Sequence, residues 1–212
     1  MNFDYKFKVA TIGDAKVGKS SLLNMEIYNS YDNYYNKTIG VNYFSKMLKI
    51  DSKKIKLEIW DLSGDKRFKS LISNYLKHID GIILVYDVTN RESFENIKEW
   101  LNLINDINKN KKTFLILANK IDKNTGRIVT LDQGIKFALK TNIPYLEVTA
   151  LENNTMNYLK VLSEFIMDDK GIEISYRDIN NRKNRKNKKK DKIVNSKLDR
   201  DCDVKECDCV II

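Results

Sequence analysis

Lys6-Phe7-Lys8-Val9-Ala10-Thr11-Ile12 runs straight into Gly13-Asp14-Ala15-Lys16-Val17-Gly18-Lys19-Ser20, and a helical pattern begins directly after it. The first stretch has the character of a strand, and the second fits G-x-x-x-x-G-K-[ST]. Backbone N–H groups of such a loop converge on phosphate oxygens, aided by the positive end of the following helix. Lys19 is placed to reach β- and γ-phosphates, and Ser20 to ligate Mg2+. A glycine-rich turn alone can be a purely structural loop. Its position between strand and helix turns the reading towards phosphate.

Working outward, Val41–Ile50 and Lys54–Asp61 predict two strands of a hairpin around Asp51-Ser52-Lys53. Ile82–Tyr86 and Phe114–Ala118 are short, unbroken apolar runs, the pattern of strands buried on both faces of a parallel sheet. Between them Phe94, Ile97, Leu101, Ile104 and Asn108 recur at helical spacing with Trp100 alongside, predicting one sheet-covering helix. Strands alternating with helices predict an α/β doubly wound fold with a mainly parallel sheet. Such folds place ligands in loops at the carboxyl ends of strands, where two further motifs fall.

Asp61-Leu62-Ser63-Gly64 closes the run containing Ile59 and Trp60. There an acidic residue can hold a metal's water, and Gly64 can offer a backbone N–H to a γ-phosphate. By itself D-x-x-G is also an ordinary surface turn. Asn119-Lys120-Ile121-Asp122 follows Phe114–Ala118. A carboxylate accepts from guanine N1–H and the 2-amino group, which adenine does not match. Asn119 can bond the other edge of the base, and Lys120 can lie along the ring. Burying Asp122 against the wrong base leaves it unpaired, at a cost of about 1–3 kcal/mol. Glu147-Val148-Thr149-Ala150 comes last, after a further strand-like run.

The 212 residues suit one domain with an appendage, and 42% hydrophobic with 32% charged residues is a soluble globular composition. Lys and Asn are abundant and Pro144 is the single proline, the mark of a coding bias. No run of about 18 apolar residues predicts a transmembrane helix, and Met1-Asn2-Phe3-Asp4 lacks a signal-peptide profile. Cys202, Cys207 and Cys209 all lie in the last eleven residues and cannot staple a fold, so the body is expected to be cytosolic. The net charge of +9 is concentrated between Arg182 and Lys192. From Asp169 onward apolar residues thin out, predicting a folded domain over 1–168 and a disordered tail over 169–212.

That tail ends Cys207-Asp208-Cys209-Val210-Ile211-Ile212, and its last four residues fit C-a-a-X, the prenylation signal, with a terminal aliphatic residue that favours geranylgeranyl. One lipid chain anchors marginally. The basic run supplies a second signal, about 1 kcal/mol per Lys or Arg near an anionic leaflet. Asp199, Asp201, Asp203, Glu206 and Asp208 weaken that attraction. A solvated linker, or a nuclear-import or nucleic-acid patch, is the rival reading. The cysteine ending argues against it, and no nucleic-acid partner is expected.

With these motifs in chain order, residues 6–168 resemble the Ras-like small GTPases. Thr38-Ile39-Gly40-Val41-Asn42-Tyr43 is similar to the first switch of the Rab family, and Trp60-Asp61 with Arg67-Phe68 to its second. Leu84-Val85-Tyr86-Asp87-Val88-Thr89 is also Rab-like, and some details resemble the Rab eighteen subgroup. The resemblance implies a P-loop fold with a six-stranded sheet, helices on both faces, and a switch that binds GTP or GDP with Mg2+. It implies nucleotide contacts from Ala15, Lys16, Val17, Gly18, Lys19, Ser20, Ser21, Tyr31, Thr38, Gly64, Asn119, Lys120, Asp122, Thr149 and Ala150. Among these, Tyr31 packs against the base and Ala150 lends a backbone N–H to the guanine oxygen. Ser20, Thr38 and Asp61 are the implied metal residues, with Thr38 leaving when the γ-phosphate is lost. Lys19, Gly64 and residue 65 are the implied catalytic positions. Tyr43, Trp60 and Tyr75 resemble the aromatic triad through which Rabs meet effectors, and Cys207 and Cys209 resemble doubly prenylated tails. Implied partners are an exchange factor, a GTPase-activating protein, effectors, the prenylation machinery and a GDP-dissociation inhibitor. The implied place is the cytoplasmic face of an endomembrane, with a cytosolic pool.

Several positions depart from the family pattern. Asp65 stands where the family has the glutamine that orients the attacking water; an ionised Asp only accepts hydrogen bonds and adds negative charge. Slow hydrolysis is therefore expected, with a hydrolysis-deficient, constitutively GTP-bound module as the alternative. Ala15 and Lys16 replace Ser-Gly or Gly-Gly, and Lys16 either adds compensating charge or strains a position better served by glycine. Leu62-Ser63 replaces Thr-Ala, and Leu151 replaces a lysine. Tyr75-Leu76-Lys77-His78-Ile79 replaces Tyr-Tyr-Arg-Gly-Ala, with His78 read as a surface residue.

Overall fold

The computed structural model describes residues 2–31, 37–65, 67, 69–107, 112–151 and 157–174. Six strands form one sheet in the order β2-β3-β1-β4-β5-β6. β1 (Tyr5–Ile12) lies between β3 (Lys53–Leu62) and β4 (Gly81–Asp87), parallel to both. β5 (Thr113–Asn119) and β6 (Tyr145–Glu147) continue the parallel array, and β2 (Val41–Ile50) is the antiparallel edge. The chain first builds leftward from β1 and then rightward, so the strand order reverses at the carboxyl end of β1. That is the crevice in which such sheets bind ligands, and Gly13–Ser20 occupies it.

Side chains of successive strand residues point to opposite faces, and this alternation divides the core in two. Phe7, Val9, Ile83 and Val85 pack with Leu22 and Leu23 of α1 (Lys19–Tyr28) and with Leu159, Leu162 and Ile166 of α6 (Tyr158–Asp169). On the other face Ala10, Ile12, Leu84 and Tyr86 meet α2 (Lys69–Leu76), α3 (Arg91–Glu95), α4 (Ile97–Ile107) and α5 (Leu131–Thr141). Every residue of β4 is buried, as its unbroken apolar run predicts. Each such Ile, Leu or Val contributes roughly 1.5–3 kcal/mol by leaving water.

Three details differ from the sequence reading. The hairpin's second strand begins at Lys53, opposite Ile50, because Asp51 takes the left-handed conformation (φ 54°) that aspartate tolerates and the turn closes one residue early. The helix expected from Phe94 to Asn108 is two helices, with Asn96 at the break. Its apolar face is as predicted, for Ile97, Trp100 and Ile104 are buried; Asn108 lies outside the described residues. Finally, the packed body runs past the 168/169 boundary. Ile172 and Ile174 cover the first core cluster, and Lys53 Nζ donates to Glu173 O at 2.5 Å. Two alternating isoleucines among charges give too little apolar density for a sequence signal. Among the described residues no helix is long and apolar enough to cross a membrane.

Candidate nucleotide site

The phosphate loop is shaped by two glycines with no substitute. Gly13 has φ +148°, and a Cβ on it would lie 2.1 Å from Val85 O. Gly18 has φ +94°, and a Cβ would meet Asn119 Nδ2 at 2.3 Å. Lys16 also sits at positive φ (67°), so the strain expected where glycine is usual is present, roughly 1–2 kcal/mol for a residue with a Cβ. Lys19 is buried and donates to Gly13 O (2.9 Å) and Asp14 O (2.7 Å). Burial pushes its pKa down to about 8, against the attraction of Asp61 and Asp14. Its ammonium therefore sits where phosphate oxygens would replace two carbonyls as partners.

Asp14 anchors this loop from below. Its two oxygens accept from Asn96 Nδ2 (2.7 Å) and Trp100 Nε1 (2.8 Å), which ties the loop to the break between α3 and α4. Sequence reading assigned Asp14 no role, since it occupies an x position of the motif.

Ser20, Thr38 and Asp61 come from three separate segments and converge. Ser20 Oγ donates to Asp61 Oδ2 at 2.5 Å and lies 3.0 Å from Thr38 Oγ1. Asp61 is fully buried, which pushes its carboxyl up, while the Ser20 hydroxyl, the Lys19 charge and the Thr38 hydroxyl pull it down. Its Oδ1 makes no hydrogen bond within the described protein. Hard oxygen donors with an uncommitted buried carboxylate oxygen fit Mg2+, which takes few protein ligands and keeps several waters. Gly64 presses on the loop: a Cβ there would lie 2.2 Å from the Asp14 carbonyl carbon and 2.3 Å from Ala15 N.

The Asn119–Asp122 motif is bound to the Gly13–Ser20 loop. Asn119 Nδ2 donates to Val17 O (2.8 Å), and its buried Oδ1 makes no hydrogen bond among the described residues. Lys120 Nζ donates to Lys16 O (2.8 Å) and pairs with Asp87 Oδ2 (2.6 Å). Asp87 Oδ1 in turn accepts from Thr89 N and Oγ1 (2.8 and 2.7 Å). This orienting role of Asp87 was missed, although Asp-x-Thr is an Asx-turn pattern. Asp122 Oδ1 accepts from Thr149 Oγ1 at 2.5 Å, and Leu151 N donates to that hydroxyl, so Asp122, Thr149 and Ala150 come together. Ser21 lies in the first turn of α1, and Tyr31 is exposed beyond its end.

Asp65 is not an uncompensated charge. Arg67 donates to it through Nε (3.1 Å) and Nη2 (2.7 Å), and Lys37 Nζ through a 2.8 Å ion pair. Together they hold its carboxyl well below the usual carboxylate range. Lys16 was the cation expected to offset it; Lys37 and Arg67 are the ones in contact. Elsewhere, Tyr43 and Trp60 are cross-strand partners with rings edge-on at 5.7 Å, and Tyr75 is exposed on α2. His78 is exposed. Cys207, Cys209 and the basic run lie outside the described residues.

The Ras family matches residues 8–167. The chain is 43% identical over 148 residues to the Ras-related protein RIC1 of Oryza sativa subsp. japonica, covering 70% of this chain and 73% of that protein. It is 40% identical over 154 residues to the GTP-binding protein YPT1 of Saccharomyces cerevisiae, covering 73% and 75% respectively. To the Ras-related protein Rab-1 of Theileria parva it is 43% identical over 149 residues, covering 70% and 68%. With Gly13–Ser20, the Ser20, Thr38 and Asp61 cluster and Asn119–Asp122 all assembled at the carboxyl ends of the strands, the chain belongs to the Ras family of small GTPases, in its Rab branch.

Proposed function

We propose that this protein is a slow guanine-nucleotide switch in membrane traffic, binding GTP or GDP with Mg2+ and recruiting effectors while it holds GTP. The observation that carries the reading is the convergence of Ser20, Thr38 and Asp61 beside the buried Lys19. Ser20 and Thr38 would hold the metal directly and Asp61 through its water; the ion would supply charge neutralisation to the phosphates. Backbone N–H groups of residues 15–20 and the Lys19 ammonium bind phosphate oxygens, and the N–H of Gly64 meets the γ-phosphate. Asp122, oriented by Thr149, accepts from guanine, while Asn119 and Ala150 take the other edge and Lys120, steered by Asp87, lies along the ring.

Hydrolysis is slow in this reading because residue 65 offers no donor to the attacking water. Losing an orienting group of this kind costs about two to three powers of ten in rate. The engagement of Asp65 by two cations favours, as a second reading, a module that stays GTP-bound with little turnover. A GTPase-activating protein that brings its own glutamine and arginine would restore turnover in the first reading and not in the second.

The exposed Ile39, Tyr43 and Tyr75, with Trp60 behind, are the proposed effector surface. Prenyl groups on Cys209 and Cys207, delivered by the prenylation machinery and assisted by Arg182–Lys192, would hold the protein on the cytoplasmic face of an endomembrane. A GDP-dissociation inhibitor would maintain the cytosolic pool, and an exchange factor would reload GTP. Competition binding tests the core of this: GTP and GDP should displace a labelled guanine nucleotide in a Mg2+-dependent way. Equal displacement by ATP would overturn it.

A further inference from the structure

The γ-phosphate of a bound triphosphate has to gather two segments, the one carrying Thr38 and the one carrying Gly64. In this protein those segments are already joined. Ser63 N donates to Gly40 O at 2.9 Å, directly beyond the last hairpin pair Val41–Leu62. One residue from Thr38, Lys37 Nζ reaches across to Asp65 Oδ2 at 2.8 Å. Asp65 is not a loosely solvated partner, for its side chain is only 16% exposed. Arg67 grips the same carboxylate through Nε and Nη2, and Arg67 N donates to Oδ1 at 3.0 Å.

We propose that Lys37 and Asp65 form an inter-switch clamp, completed by Arg67, that stabilises the arrangement seating Thr38 against Ser20 and Asp61. Position 65 then acts as a positioning residue for the metal ligand Thr38, where a glutamine would act on water. An isolated surface ion pair contributes little, since two long side chains must be ordered for a screened attraction. Here the ordering is largely done beforehand: the Ser63–Gly40 bond holds the two backbones together, and Arg67 fixes the carboxylate from its own segment. A neutral amide at residue 65 accepts from Lys37 but carries no charge, so it cannot replace the pair. The clamp lengthens the life of the triphosphate-bound state from the same residue that slows its hydrolysis.

The proposal rests on reading the chain as a GTP/GDP switch, and one experiment separates the two. Release of fluorescent GDP and of a fluorescent non-hydrolysable GTP analogue is followed for full-length wild type, Lys37→Met, Asp65→Asn and the double variant. Each single change should speed release of the triphosphate analogue about two- to fivefold, the range of a well-ordered surface pair. The double variant should be no faster than the quicker single one, because both changes break the same contact. Lys37→Met should leave GDP release unchanged, Lys37→Arg should behave as wild type, and salt near 1 M, with a screening length of about 3 Å, should erase the difference. Additive effects, unchanged rates or equal acceleration of both nucleotides would overturn the clamp. Failure of wild type to hold either nucleotide would overturn the switch reading itself.

Discussion

Lys19 shows how one buried residue sets a pH dependence. Below about pH 8 it is already charged in the free protein, so phosphate binding takes up no proton and affinity is flat. Above that value the free protein loses the proton that the phosphates require, and GDP affinity should fall towards tenfold per pH unit. For the nucleotide-free fold the sign is opposite. The unfolded side chain titrates near 10.5, so burying the charged Lys19 is fully destabilising below about pH 8 and is relieved as pH rises towards 10.5. Titration calorimetry across pH 7–9.5 checks the first effect; affinity rising with pH would contradict it. At the base, Asp122→Asn should weaken GTP by roughly tenfold or more and admit xanthine nucleotides, because an amide donates where the carboxylate accepted. Competition with xanthosine diphosphate reads this out. The motif residues were legible because each contributes to a short contiguous pattern. Asp14, Lys37 and Asp87 were not, since their partners lie 86, 28 and 33 positions away and spacing carries no signal at that range.

At the scale of elements, the strands followed from apolar runs and motif positions, while their order in the sheet and the two-helix stretch after β4 did not. Its periodicity survives the break at Asn96, because α3 and α4 present the same face to the sheet. Only Asn96 Nδ2 leaving to bond Asp14 shows that the break serves the phosphate loop. Asp14→Ala should therefore do more than remove a side chain. It removes the acceptor shared by Asn96 Nδ2 and Trp100 Nε1, costing about 1–3 kcal/mol of stability, and loosens the loop so that nucleotide release quickens. Urea unfolding with the nucleotide fixed, together with GDP release, measures both. Unchanged release would confine Asp14 to a packing role.

For the whole molecule, the packed body extends through residues 169–174, where Ile172 and Ile174 lie against the core. The sequence boundary fell short there because packing against a distant hairpin leaves no local pattern. A Cys207→Ser, Cys209→Ser double variant should be wholly cytosolic in eukaryotic cells while binding nucleotide normally. Membrane retention in fractionation would place the anchor elsewhere. The central claim, a switch that holds GTP and turns it over slowly, is tested most directly by single-turnover GTP hydrolysis of the full chain against Asp65→Gln. Wild type should convert bound GTP to GDP measurably but slowly, and the glutamine variant faster by at least tenfold, within the two to three powers of ten that a water-orienting group contributes. Equal rates in the two proteins would contradict the account.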